Sequence, residues 1–154
     1  MNTHWLEVPQ QQRVDVVGTL TAETKELWLG LHGYGQLVQF FSRHFRDLAN
    51  LHRAFIFPQG PHKFYLEGVH GRVGASWMTK EDRLVDIQTS GPTSTRYFVG
   101  QRQKRQMRVY ILLDSLKGWP LACATSAMER MRRLVFWRGP GRGRRTWSHG
   151  AWRR

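Results

Sequence analysis

Apolar residues in the first part of the chain form short runs that are separated by glycine, proline and polar residues. Runs at residues 4–8 and 13–20 flank Pro9 and three glutamines, which predicts two antiparallel strands joined by a loop. The next run, Leu27 to Leu31, shows no polar alternation. It predicts a central parallel strand that is buried on both faces.

Apolar residues then recur at a helical spacing, which predicts a helix from Gln36 to Asn50. They are Leu37, Phe40, Phe41, Phe45 and Leu48. A short run, Ala54 to Phe57, predicts a further strand that ends at Pro58. The order strand, helix, strand implies a right-handed crossover, and therefore the α/β class.

The segment from Phe64 to Arg83 is rich in glycine and aromatic residues, and we interpret it as a long irregular loop. Long ordered loops at the carboxyl ends of parallel strands tend to shape ligand sites. Thr79 and the acidic residues after it predict a helix start, with Thr79 as the N-cap.

Length and composition fit one domain of ordinary size, because 154 residues can bury a core. The single cysteine, Cys123, excludes an internal disulfide, and no Cys/His spacing suggests a zinc site. We see no signal peptide and no apolar run long enough to span a membrane. We therefore expect a cytoplasmic protein that binds no metal.

The net charge of +13 belongs to the second part of the chain. Residues 1–90 hold nine basic and nine acidic residues, which leaves 15 basic and two acidic residues for 91–154. Arginines interleaved with Trp137, Trp147 and Trp152 suggest a small basic protein that binds nucleic acid without sequence preference. The alternative is a solvated cationic tail with incidental affinity for any polyanion.

Four strings in the first part of the chain occur in a specific order: Leu-His-Gly-Tyr-Gly-Gln, Phe-Pro-Gln-Gly, Phe-Tyr-Leu-Glu-Gly and Gly-Arg-Val-Gly-Ala-Ser-Trp-Met-Thr-Lys-Glu-Asp-Arg. In order and spacing, residues 4–88 resemble bacterial phospholipase/carboxylesterase-like esterases of the α/β-hydrolase superfamily. The last string is the most specific, since many α/β hydrolases share the His-Gly turn.

The resemblance implies a serine carboxylesterase that hydrolyses a small carboxylic ester through an acyl-enzyme and uses no cofactor. It implies that the Tyr34 N–H, in the motif His32-Gly33-Tyr34-Gly35, is an oxyanion-hole donor. It also implies that Trp77 and Met78 help to line an acyl pocket. The alternatives are an ordinary strand-to-helix turn at residues 32–35 and simple core packing for Trp77 and Met78.

The nucleophile elbow that the resemblance calls for, Gly-x-Ser-x-Gly about eighty residues after the turn, does not occur in this chain. Ser115 stands near the expected position, but no glycine lies two residues before it. Neither Ser115 nor His149 has the neighbours of a nucleophile or a general base. We treat His44, His52, His62 and His70 as surface or loop residues without metal-ligand spacing.

A change of reading frame explains the missing elbow. Each new codon can be formed from the last base of one codon and the first two bases of the next. In this frame, the codons for Leu113 to Leu121 can encode Gly-Phe-Ser-Gln-Gly-Val-Ala-Thr. The same regrouping of Gly91 to Phe98 permits Ala-Tyr-Leu-Asp-Ala-Leu-Phe, a helix of that family. We infer a frame change soon after Gln88, and an out-of-frame reading of a GC-rich gene also yields the Arg/Gly/Pro/Trp-rich composition that follows.

The sequence therefore predicts a truncated α/β-hydrolase fold. Residues 1–88 are the amino-terminal half of the domain, and residues 89–154 are an aberrant, poorly ordered basic tail with Leu134 to Trp137 as a fair strand. Without the strand of the elbow, we expect a central strand to be left as an unpaired edge. We expect no esterase turnover from this chain.

Overall fold

The computed structural model describes residues 1–89 and 107–114, together with the backbone of two further strands. The main sheet has six strands: β1 (Val14–Val17), β2 (Glu26–Leu31), β3 (Arg53–Pro58), β6 (Arg108–Asp114), β7 (Leu134–Trp137) and β8 (Trp147–Gly150). A second sheet pairs β4 (His62–Tyr65) with β5 (Val73–Ser76). Helix α1 (Val38–Phe41) runs directly into a 3-10 helix, η1 (Ser42–Leu48).

The main sheet is mixed, with the strand order β1-β3-β2-β6-β7-β8. Strand β2 is parallel to both β3 and β6, and β6 is parallel to β7. Strands β1 and β8 are antiparallel to their neighbours. Because α1 and η1 lie in sequence between the parallel strands β2 and β3, the predicted α/β character is confirmed.

Both faces of β2 and β3 are buried, as the unbroken apolar run predicts. On one face, Leu29 and Ile56 pack with Ile111 of β6. On the other face, Phe55 and Phe57 pack against the residues that α1 and η1 bury. Gly30 makes this second face possible, since a Cβ at that position would overlap the Phe57 ring.

The predicted helix over residues 36–50 is only partly correct. Four residues are α-helical, and the tighter 3-10 helix continues to Leu48. Ser42 lies at the junction, buried, and its hydroxyl donates a hydrogen bond to Asp15 Oδ2 at 3.1 Å. Phe40 is 52% exposed beneath the Arg43 guanidinium, so the buried stripe consists of Val38, Phe41 and Phe45 instead.

The predicted strand at residues 4–8 is wrong, and Trp5, Leu6 and Val8 are exposed. The antiparallel partner of β1 is β3 and not this segment. The side-chain amides of Gln10 and Gln12 donate hydrogen bonds to the Pro61 and Gln59 carbonyls. These contacts place residues 10–12 beside the residues that follow β3.

The prediction of an unpaired central edge is also wrong, because β6 pairs with β2 over six residues, from Glu26↔Arg108 to Leu31↔Leu113. The run Val109 to Leu113 is apolar and partly β-branched, and such a run suffices for a buried parallel strand. One sheet thus includes residues on both sides of position 88. The expected strand at Leu134–Trp137 is present as β7, and the rest of the predicted tail lies outside the described residues apart from β8.

The segment predicted as a loop, residues 64–83, includes the end of β4 and the whole of β5, which pair as a hairpin. The sequence Val-Gly-Ala-Ser of β5 has no apolar alternation, and for this reason its pattern did not predict a strand. Thr79 is not a helix N-cap, since the helical residues are 83–89. Asp86 in that helical stretch instead accepts the Thr79 N–H at 2.9 Å and contacts His62 Nε2 at 3.0 Å.

Candidate functional site

The turn at residues 32–35 connects the carboxyl end of β2 to the segment that leads into α1. Parallel strands end at a common edge of a sheet, so β3 and β6 end on either side of this turn. The chain after β3, Gln59 and Gly60, and the chain after β5, Trp77, both contact it. Ligands of open α/β sheets bind at such an edge.

His32 is buried, with 1% of its surface exposed, and its ring hydrogen bonds hold the neighbouring segments together. The Gly60 N–H donates to Nε2 at 2.8 Å, and the Gln59 amide nitrogen lies 3.0 Å from the same atom. Nε2 must therefore be the acceptor, and the ring proton is assigned to Nδ1, which lies 2.9 Å from the Gly33 carbonyl. These bonds fix the ring as a support for the turn.

Gln59 joins this support to the helix. Its side chain is buried, its Oε1 accepts the Val38 N–H at 2.8 Å, and its amide nitrogen faces His32 Nε2. Val38 is the first residue of α1, where backbone N–H groups lack partners within the helix. One side chain thus fixes both the turn and the start of α1.

Most N–H groups of the turn are already used. The Gly33 N–H donates to Gln36 Oε1 at 3.1 Å, and the Gly35 N–H donates to the Ala75 carbonyl of β5 at 2.9 Å. The Gln36 N–H donates to the Gly33 carbonyl at 3.3 Å. Within the described part of the chain, the Tyr34 N–H donates no hydrogen bond. This N–H is therefore the candidate backbone donor to a ligand.

Two glycines allow this arrangement. Gly35 has a φ of +78°, a conformation that L side chains rarely adopt. Gly74 of β5 lies so close to the turn that a Cβ on it would be 2.5 Å from the Gly35 carbonyl oxygen. The hairpin can therefore approach the turn only where both residues lack a side chain.

Trp77 and Met78 are both buried. The Trp77 indole N–H donates to the His32 carbonyl at 3.0 Å, and its ring lies 5.2 Å from the His32 ring. Trp77 also belongs to the core cluster on one face of the sheet. Core packing thus accounts for its position, and its contact with His32 makes it part of the support of the turn. The acyl-pocket role implied by the resemblance stays a prediction for both residues.

Sequence reasoning missed the roles of Gln36, Gln59, Gly60 and Gly74. Gln59 and Gly60 form part of Phe-Pro-Gln-Gly, whose pattern predicts only a loop after a strand. A polar residue with a side-chain amide directly after an apolar strand is the signal that points to Gln59. Gly74 carries no comparable signal, because its role depends on a close approach between distant segments.

The remaining candidates are not brought to this site. His44, His52 and His70 are exposed, and His62 lies in β4 beside Asp86. Ser115 lies outside the described residues, and so does the side chain of His149. In the described part of the chain, no three His, Cys, Asp or Glu side chains come close enough to hold a metal ion. No helix in that part is long and apolar enough to cross a bilayer.

Comparison of the chain with models of known protein families and with curated proteins gave no match.

Proposed function

We propose that the turn at residues 32–35 is the oxyanion side of a carboxylic-ester hydrolase site of the α/β-hydrolase type. The observation that carries the proposal is the Tyr34 N–H, which donates no hydrogen bond among the described residues. In such a site, this N–H donates to the ester carbonyl oxygen as that oxygen gains negative charge in the tetrahedral intermediate.

The position of the turn supports the proposal. In α/β hydrolases, one oxyanion donor comes from the loop between a central strand and the helix that follows it, and the nucleophile follows a neighbouring strand. Here the turn follows β2 and precedes α1, and β6 runs beside β2 to the pair Leu31↔Leu113. The resemblance of the motif strings in residues 4–88 points to the same class of enzyme.

The chain as it stands lacks the nucleophile side of this site. The residues after β6 are Ser-Leu-Lys-Gly, without the glycine that a strained elbow needs two positions before the serine. We therefore propose a binding function for the turn in this chain, and turnover only for a chain read in the shifted frame.

The deciding experiment inserts one base after the codon for Gln88, so that the following residues are read in the shifted frame. The resulting protein is expected to hydrolyse p-nitrophenyl acetate. Tyr34→Pro in that protein removes the N–H and should lower kcat about 10²- to 10³-fold, the usual effect of losing one oxyanion donor. Tyr34→Ala, which keeps the N–H, is the matched control for kcat, and the loss of its ring is expected to change only KM.

Two results would count against the proposal. The first is a repaired protein that folds but shows no turnover. The second is an equal loss of kcat in Tyr34→Pro and Tyr34→Ala, because the loss would then follow the ring and not the N–H.

A further inference from the structure

An exposed apolar surface flanks the free donor of the turn. Tyr34 is 62% exposed, and its ring lies 5.0 Å from the half-buried ring of Phe64, with the two planes 34° apart. Leu66 is 39% exposed and lies beside the turn. Its Cδ2 atom would be 3.2 Å from a Cβ atom if residue 35 carried one. We call these three side chains, Tyr34, Phe64 and Leu66, the ledge.

The ledge is fixed to the donor by the same contacts that fix the turn. Tyr34 supplies both the N–H and the more exposed of the two rings of the ledge, so the two are separated only by bonds within one residue. The Gly35 N–H bond to Ala75 and the close approach of Gly74 hold the hairpin, and with it Phe64 and Leu66, against the turn. A ligand that accepts the Tyr34 N–H therefore lies close to this surface.

The chemistry of the ledge is aromatic and uncharged. It contains two aromatic rings and one leucine and no Asp, Glu, Lys, Arg or His side chain, and the nearby Glu67–Arg72 pair is exposed, with its two partners 3.4 Å apart. Exposed aromatic rings favour planar apolar groups, which stack on them or pack edge to face. Three side chains are far fewer than the twenty or more on each side of a stable protein interface, so the ledge suits a small molecule.

We infer that the site takes esters with a planar aromatic group, which rests on the ledge while the carbonyl oxygen accepts the Tyr34 N–H. This inference deepens the proposed function and depends on it. A carboxylate serves as a stable probe of the same geometry, because its oxygen can accept the same N–H and no bond needs to break.

The test uses the full chain labelled with ¹⁵N at its four tyrosines, Tyr34, Tyr65, Tyr97 and Tyr110. The amide signal that disappears in Tyr34→Phe identifies Tyr34. Sodium 2-naphthoate and sodium acetate are titrated in turn, and the shift of each amide signal is followed. Tyr97 lies in the basic part of the sequence and therefore reports non-specific binding of anions.

The expected result is a Kd for 2-naphthoate at least tenfold lower than that for acetate at the Tyr34 signal, equivalent to about 1.4 kcal/mol. Phe64→Ala should remove most of that preference. Tyr65→Ala should leave it unchanged, because successive side chains of a strand point to opposite faces. Tyr65 is 52% exposed, which makes it a matched control.

The other outcomes separate the two proposals. Equal affinity for both anions at Tyr34 would overturn the ledge and leave the proposed function standing, whereas no shift of Tyr34 with either anion would overturn both. Naphthoate binding that shifts Tyr34 and Tyr97 over the same concentration range would also overturn the ledge. The comparison of the two anions on the unchanged chain decides the question even if Phe64→Ala does not fold.

Discussion

Replacing Gln59 with methionine tests whether the support beneath the turn is energetically important. Gln59→Met keeps the length and approximate volume of a side chain that is 3% exposed and removes its polar atoms. The Val38 N–H then loses its acceptor at 2.8 Å, while His32 Nε2 keeps the Gly60 N–H and loses the amide of residue 59.

The expected cost follows from these two losses. A buried donor left without a partner costs about 1–3 kcal/mol, and a lost neutral hydrogen bond costs about 0.5–1.5 kcal/mol. Together they should lower the free energy of unfolding by about 2–4 kcal/mol. Shape change contributes little, since volume-conserving replacements usually cost less than about 1.5 kcal/mol.

Urea unfolding followed by circular dichroism measures this change. With an m-value of about 2 kcal/mol/M, the midpoint should fall by about 1–2 M. Gln39→Met is the matched control, because among the described residues the Gln39 side chain has only an exposed hydrogen bond, from Arg13, and its cost should stay within about 0.5 kcal/mol. Equal midpoints for the two variants would refute the view that Gln59 supports the turn and α1.

Three further predictions concern the sheet, the missing nucleophile and the basic part of the chain. Gly30→Ala should lower the free energy of unfolding by about 1–3 kcal/mol, since its Cβ would overlap the Phe57 ring. Thermal denaturation should show a smaller loss of stability when the same change is made in a Phe57→Leu variant. Equal losses in both backgrounds would contradict the overlap. The chain should hydrolyse p-nitrophenyl acetate no faster than its Ser115→Ala variant and should not react with a fluorophosphonate probe, whereas labelling of Ser115 would show that a nucleophile is present. Binding of an oligonucleotide, measured by fluorescence anisotropy, should weaken steeply with salt and not depend on its sequence, because residues 91–154 carry 15 basic residues; binding that is insensitive to salt would argue against charge as its cause.

The elements that the sequence predicted correctly are those whose pattern depends on burial. The unbroken run at Leu27 to Leu31 and the run at Ala54 to Phe57 correspond to the parallel strands β2 and β3. The failures occur where contacts between distant segments decide the structure. Residues 4–8 have strand-like composition and no partner strand among the described residues, whereas Val73–Ser76 forms a strand through its pairing with β4.

The candidate site shows the same division. The turn could be located from His32-Gly33-Tyr34-Gly35, because glycines between an apolar strand and a helical pattern are a local signal. The burial of His32 and the donors to its ring could not be predicted from the sequence, since Gln59 and Gly60 lie 27 and 28 residues away in the chain. The position of helix α1 could be predicted, but the length of its α-helical part could not, because apolar spacing does not distinguish α from 3-10 geometry over a few residues.

In an α/β hydrolase, one short segment has to form a strand and then the nucleophile elbow, and the pairing of β6 with β2 concerns only the strand. A buried parallel strand accepts many sequences, provided that they are apolar and partly β-branched, and Val109 to Leu113 satisfies this condition. A nucleophile elbow accepts almost none, because it needs small residues at fixed positions. Under the proposed function, the strand before the nucleophile can therefore form without the residues of the elbow, and a few residues immediately beyond that strand decide whether the folded sheet is an enzyme.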